Sequence, residues 1–233
     1  MSEVKMIETG IFKAPLILPK SLESKKEEFE QIILNAQRRV RRFAGKYGWK
    51  DLTDESFFDE VRIFDDKEKF DRFLLELQGM TIEEVLQSAS MDSGTKIPKT
   101  FSGGLEKRIL FAVSPDLFAM NFPEGIEEDS YEKLFAHEIA HRLHVRILDG
   151  DEDAMGAVWF FEGFAMYAVD QFSGKIPDLS KEEIREILES KKRGSYLKYN
   201  AVFRHFAKKS SLPELVKKAC DEDFIEWLLA LLK

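Results

Sequence analysis

The stretch KLFAHEIAHRLH, residues 133–144, carries two histidines four positions apart, His137 and His141, with Glu138 directly after the first. On an α-helix four residues turn through about 400° and rise about 6 Å, so both imidazoles project from one face and can reach one ion. Glu138 lies about 100° further round, which sets its carboxylate beside that ion and not on it. Two neutral nitrogen ligands with a base next to them are what a hydrolytic zinc site needs. The same pair could be a polar stripe facing solvent. Against this, Phe135, Ala136, Ile139, Ala140 and Leu143 make the helix apolar nearly all round, and buried histidines need partners.

A catalytic zinc requires a third protein ligand and an open position. In VWFFEGFAMYAV, residues 158–169, Glu162 is the one acid in an otherwise apolar helix. An unpaired carboxylate there costs several kcal/mol, and a divalent cation removes the penalty. A protonated glutamate or a salt bridge to an arginine would also remove it.

HEIAH followed by WFFEGFAMY resembles the gluzincin metallopeptidases, whose thermolysin-like and aminopeptidase branches carry His-Glu-x-x-His and then a glutamate ligand in a Glu-Gly-x-Ala setting. The separation of His141 from Glu162 is near that family's spacing. The resemblance implies zinc held by His137, His141 and Glu162, with Glu138 as general base. SYLKYNAVFRHF, residues 195–206, is similar to the family's Tyr-x-Lys-Gly-x-Ala stretch, which implies Tyr196 as oxyanion donor. Tyr199 replaces the glycine there and is a rival donor. GGLEKR, residues 103–108, is similar to the edge-strand Gly-(Ala/Gly)-Met-Glu-Asn element, which implies substrate binding at Gly104 and Glu106, the latter on a free amine. Lys107 stands where asparagine is expected. Thermolysin-like enzymes place an acid four residues after the glutamate ligand to orient a zinc-bound histidine; that position is Met166, which leaves Asp170 or Asp153 for the role.

The elements that must position these residues follow from periodicity. Residues 22–47 read as one long helix, with Phe29, Ile32, Ile33, Ala36, Val40 and Phe43 on its apolar side. Residues 57–64 suit a strand and residues 65–77 a helix. Thr81 and Glu84 form a capping box for a short helix. Residues 90–104 read as a loop, LEKRILFAVS (105–114) as one strand, and the segment holding Pro115, Pro123 and Gly125 as a second loop. Helices are expected from Asp129 or Ser130 to Leu148, over 154–172, from a Ser180/Glu183 capping box to Ser190, over 195–209, 212–219 and 224–232.

The outline is α+β: a small mixed sheet region, then a mainly helical half, with the active-site helix between them. The resemblance covers roughly residues 57–233 and implies one compact zincin-like catalytic domain spanning 1–233, with 1–55 as an N-terminal helical extension. That helix could dock on the catalytic part or pair with another copy. His144 is expected at the rim of the site. His205 reads as a packing residue, with approach to the site as the alternative.

Composition bounds the partners. Hydrophobic residues at 44% and aromatics at 12% make a folded globular chain. A net charge of −8 argues against a nucleic-acid binder, and RRVRRF, residues 38–43, is the one basic cluster, read as a solvated helix face or a weak contact for an acidic partner. The single cysteine, Cys220, fits a reducing compartment. Without a signal peptide or an apolar run of about 18 residues, the expectation is a cytoplasmic protein that acts on a peptide or protein and not on a membrane. Two functions stay open: a zinc-dependent peptidase, or a zinc-binding regulatory or interaction module of the same fold with little or no activity.

Overall fold

The computed structural model describes residues 11–79, 101–190 and 193–232. Strand β1 is Leu16–Ile17, two residues held between Pro15 and Pro19 and too short to show any pattern. It is followed by a 3-10 turn at Lys20–Lys25 and helix α1, Lys26–Lys46. Phe29, Ile33, Ala36, Val40 and Ala44 recur every three or four residues in α1, and all are buried. Strand β2, Glu60–Phe64, buries Val61 and Ile63 between half-buried neighbours, the alternation of a sheet with one face inward. Helix α2, Lys67–Leu77, starts where the Asp66 side chain accepts the Lys69 N–H.

The segment 105–114 departs from the expectation of one strand. It forms a hairpin, β3 (Gly103–Glu106) and β4 (Ile109–Val113), joined by a two-residue turn at Lys107 and Arg108. Both turn residues have positive φ, 46° and 62°, the conformation that normally selects Asn or Gly. The sequence there shows no such residue. The turn is held from outside instead: the Arg108 guanidinium forks onto Asp59 with two bonds of 2.7 Å, and Asp59 N–H donates to Arg108 O at 2.8 Å.

The second expected loop likewise contains a helix, α3 (Pro115–Asn121), with Ser114 as N-cap and Pro115 in the first turn, where its missing N–H costs nothing. Helix α4 is Ser130–Ile147. Helix α5 is shorter than expected, Val158–Ala168, because Gly156 at φ 81° and extended Ala157 separate it from the 3-10 turn at Asp153–Met155. Helices α6 (Lys181–Glu189), α7 (Tyr196–Ala207), α8 (Leu212–Lys218) and α9 (Phe224–Leu231) follow, α6 with the Ser180/Glu183 capping box complete. The other capping box, Thr81/Glu84, lies outside the described residues.

The result is a mixed α/β fold in which the described residues form a four-stranded sheet in the order β1-β2-β4-β3, parallel except for the β3/β4 hairpin. Helix α4 packs against α1, α5 and strand β3, and α5 packs against α7. Surrounded in this way, α4 buries Leu134, Phe135, Ala136, Ile139, Ala140 and Leu143, which explains its lack of a polar face. Residues 11–55 contribute α1 to this core and β1 to the sheet. Gly163 lets α5 and α7 approach closely: a Cβ there would stand 2.7 Å from the Cβ of Phe203. At the far end of α4, Arg146 stacks on Phe57 and donates to the carbonyls of Leu52, Glu55 and Ser56. No helix among the described residues is long and apolar enough to cross a membrane.

Candidate metal centre

Helix α4 projects His137 and His141 toward α5, which carries Glu162 on its facing side. The Nε2 atoms of the histidines are 3.0 Å apart, and Glu162 Oε2 stands 3.1 Å from His137 Nε2 and 3.6 Å from His141 Nε2. Ligands about 2.0–2.1 Å from a tetrahedral zinc lie roughly 3.3 Å from one another, so the triangle has the size that such an ion needs. The chemistry of the donors agrees. Gln171 Oε1 lies 3.0 Å from His137 Nδ1, which places a proton on Nδ1 and leaves Nε2 as the nitrogen that faces the cluster. Two imidazole Nε2 atoms and a carboxylate oxygen converge on one point, and among the described residues these three side chains form the group able to hold a metal.

Glu162 divides its two oxygens. While Oε2 faces the histidines, Oε1 accepts from Arg193 Nη2 at 2.8 Å and from the Tyr196 hydroxyl at 3.2 Å. The arginine salt bridge and the metal-facing geometry are therefore both present, one on each oxygen. The residue is only 5% exposed. Burial alone would raise its pKa, but hydrogen bonds from His137 and His141 and their charge hold it well below the usual carboxylate range. Burial opposes charge on His137, yet Glu162, Glu138 and Gln171 together raise its pKa. Glu138 is raised, chiefly by burial, with Glu162 and Glu106 adding to it against the two histidines.

The triad opens into a cavity of about 600 Å³ whose wall includes Glu138, Tyr196, Arg193 and Gln171 on its polar side and Phe101, Phe118, Phe122 and Phe172 on its apolar side. The structure thus brings His137, His141, Glu162, Glu138 and Tyr196 to one place. Other expected residues are not in the cavity wall. Glu106 is half exposed and pairs with Arg142 at 3.6 Å, and Gly104 is covered by the Phe111 ring; Gly103, one residue earlier, lines the cavity. Tyr199 is buried, its hydroxyl accepting the Gly194 N–H. His205 packs against the Phe206 ring and is not in the cavity wall.

The partner that orients His137 is Gln171, not Asp170, which pairs with Arg204 at 2.8 Å, nor Asp153, which sits in a surface turn. Gln171 is itself held by Asn200, whose amide donates to the Gln171 carbonyl at 2.7 Å. Its only sequence signal is a polar residue just past the apolar run of α5. Arg193 has none, since it reaches Glu162 from 31 residues away. With zinc as the titrated ion, Gln171→Leu is expected to weaken uptake at the triad by about 10- to 100-fold with the fold intact, measurable by chelator competition.

His144, expected at the rim, is instead fully buried, stacked 4.3 Å from Phe164, and neither ring nitrogen has a partner. Burial, with a contribution from His141, lowers its pKa to about 3. An unfolded histidine titrates near 6.5, so between those values the unfolded state binds the extra proton. Stability due to neutral His144 is complete above about pH 6.5 and is lost as pH falls toward 3. His144→Leu is expected to remove about 3 kcal/mol of the stability difference between pH 7 and pH 4, read from urea unfolding at the two pH values.

Comparison with protein-family models, with curated protein sequences and with solved structures returned no match.

Proposed function

We propose that the protein is a zinc-dependent peptidase of gluzincin type, with a zincin-like arrangement of edge strand, active-site helix and ligand-bearing second helix. The observation that carries this reading is the convergence of His137 Nε2, His141 Nε2 and Glu162 Oε2 in a cavity whose wall also holds Glu138. Zinc, when bound, supplies Lewis acidity that brings the pKa of a water molecule to about 7 and polarises a carbonyl. His137, His141 and Glu162 would hold it. Glu138, whose carboxylate makes no hydrogen bond or ion pair with another described residue, is free to accept the water's proton and pass it to the leaving amine. Tyr196, in the same wall, is the group able to donate to an oxyanion, an effect of about 3 kcal/mol. Among the described residues strand β3 lies at the sheet edge, with Gly103 in the cavity wall, where an extended peptide can add as a further strand. A peptide or protein is therefore the proposed substrate, and the single cysteine fits a cytoplasmic setting.

One observation favours a second reading, a zinc-binding regulatory or interaction module without useful turnover. The Tyr196 hydroxyl donates to Glu162 Oε1 and accepts from Arg193, so its proton is not free to meet an oxyanion unless it leaves the Glu162 acceptor. Metal content by elemental mass spectrometry, followed by digestion of a mixed peptide library, separates the two. About one zinc per chain with cleavage abolished in Glu138→Gln supports the peptidase; zinc without cleavage supports the module; no zinc, and none taken up on titration, removes both.

A further inference from the structure

A second concavity, of about 730 Å³, runs along α1 and shares no lining residue with the metal cavity. Its wall follows α1 from Asn35 to Gly45 and is completed by Ile11, Lys50 and the start of α4. Five cationic side chains line it against two acids, Asp129 and Glu132, in a chain with 43 acidic and 35 basic residues overall. The RRVRRF run is thus concentrated in a cleft and not spread over a convex helix face.

The five cations are not equivalent. Arg39 is spent on both acids, 2.9 Å from Glu132 and 3.3 Å from Asp129, and also donates to Val169 O. Arg41 is fixed by Thr53 and by Asp54 at 2.9 Å. These bonds hold the two guanidinium groups in place but consume their charge. Arg42 and Lys50, both exposed, have no ion pair among the described residues. Between them in sequence stands Gly45, within a helix, where glycine costs about 1 kcal/mol relative to alanine. Neither strain nor packing asks for it: a Cβ there meets nothing within 4 Å. Its effect is to leave the helix surface bare on the wall that carries Arg42.

We propose that this cleft docks an acidic peptide segment of a partner protein, a short run of Asp and Glu side chains. Carboxylates pair with guanidinium forks and with ammonium groups, and the cleft offers both. From Asn35 to Gly45 the helix rises about 15 Å, the span of about four or five extended residues. A long phosphate backbone fits less well, because it runs past the cleft onto a chain of net charge −8, which a segment of four or five residues does not reach. The site is separate from the metal cavity, so docking there leaves that cavity accessible.

The test is fluorescence anisotropy of a labelled hexaglutamate peptide on the full chain, with hexaglutamine as the neutral probe. Hexaglutamate is expected to bind and hexaglutamine not to, with affinity falling as salt rises. Arg42→Glu with Lys50→Glu is expected to weaken binding by about tenfold or more, and Gly45→Glu, which sets a carboxylate on the bare wall, by a similar factor. Gly45→Ala is expected to stay within about twofold of the parent, as is Arg185→Glu with Lys217→Glu, which makes the same change in net charge outside the cleft. Circular-dichroism melts matching the parent show that the variants are folded. The proposal is overturned if the remote pair of reversals weakens binding as much as the cleft pair, if the two peptides bind alike, or if tripolyphosphate binds while hexaglutamate does not.

Discussion

Glu138→Gln is expected to leave zinc content at the parental level and to lower peptide hydrolysis by about a thousandfold. Both halves follow from where the side chain stands. Glu138 is half-buried in the cavity wall beside the triad, is not one of the three converging donors, and makes no hydrogen bond to another described residue that the amide would break. The substitution keeps shape and removes only the ability to accept a proton. Elemental analysis and single-turnover cleavage of a library-selected peptide measure the two quantities on the same sample. Cleavage at the parental rate would remove Glu138 as the base, and loss of zinc would make it a ligand.

Glu162→Ala is expected to weaken zinc binding by about a hundredfold or more, a larger effect than loss of the outer partner Gln171. It also alters the metal-free protein. Arg193 is half exposed and can turn to water, but the Tyr196 hydroxyl loses its acceptor within the site, and His137 loses the charge that supports its proton. A fall of about 1–3 kcal/mol in apo stability is expected. Thermal unfolding with and without added zinc distinguishes the possibilities. If Glu162 serves only as a salt-bridge partner for Arg193, Glu162→Ala lowers the apo midpoint and zinc raises neither protein's. A zinc-dependent rise in the parent that is absent in the variant identifies a ligand.

Some of this was legible in the residues themselves. The His137/His141 pair reads from a spacing of four on a helix, because helix geometry is local and places both imidazoles together before any packing is known. The long α1 reads from the burial period of Phe29, Ile33, Ala36 and Val40, and α6 from its capping box, for the same reason. Glu162 was legible as a chemical anomaly, a single acid in a run of apolar residues.

The rest depends on contacts between residues far apart in sequence. The hairpin turn at Lys107 and Arg108 shows no turn residues because its conformation is imposed by Asp59, 49 positions earlier. Strand β1 exists only because β2 offers it an edge. Gln171 takes the place that Asp170 or Asp153 seemed to offer because Arg204 draws Asp170 away and Asn200 holds the Gln171 backbone. Similarly, His144 shares the helix of the triad but is turned under Phe164 and away from the rim, and Arg193 arrives at Glu162 from a segment that carries no motif. The helix-local part of the site is written in the residues: two imidazoles and a carboxylate at helical spacing, and a second carboxylate that needs a partner. Packing sets the rest: which oxygen of Glu162 meets them, which polar groups orient them, and that the basic run of α1 lines a cleft. Those outcomes are set by how helices and strands pack, and packing joins residues whose separation along the chain carries no trace of their separation in space.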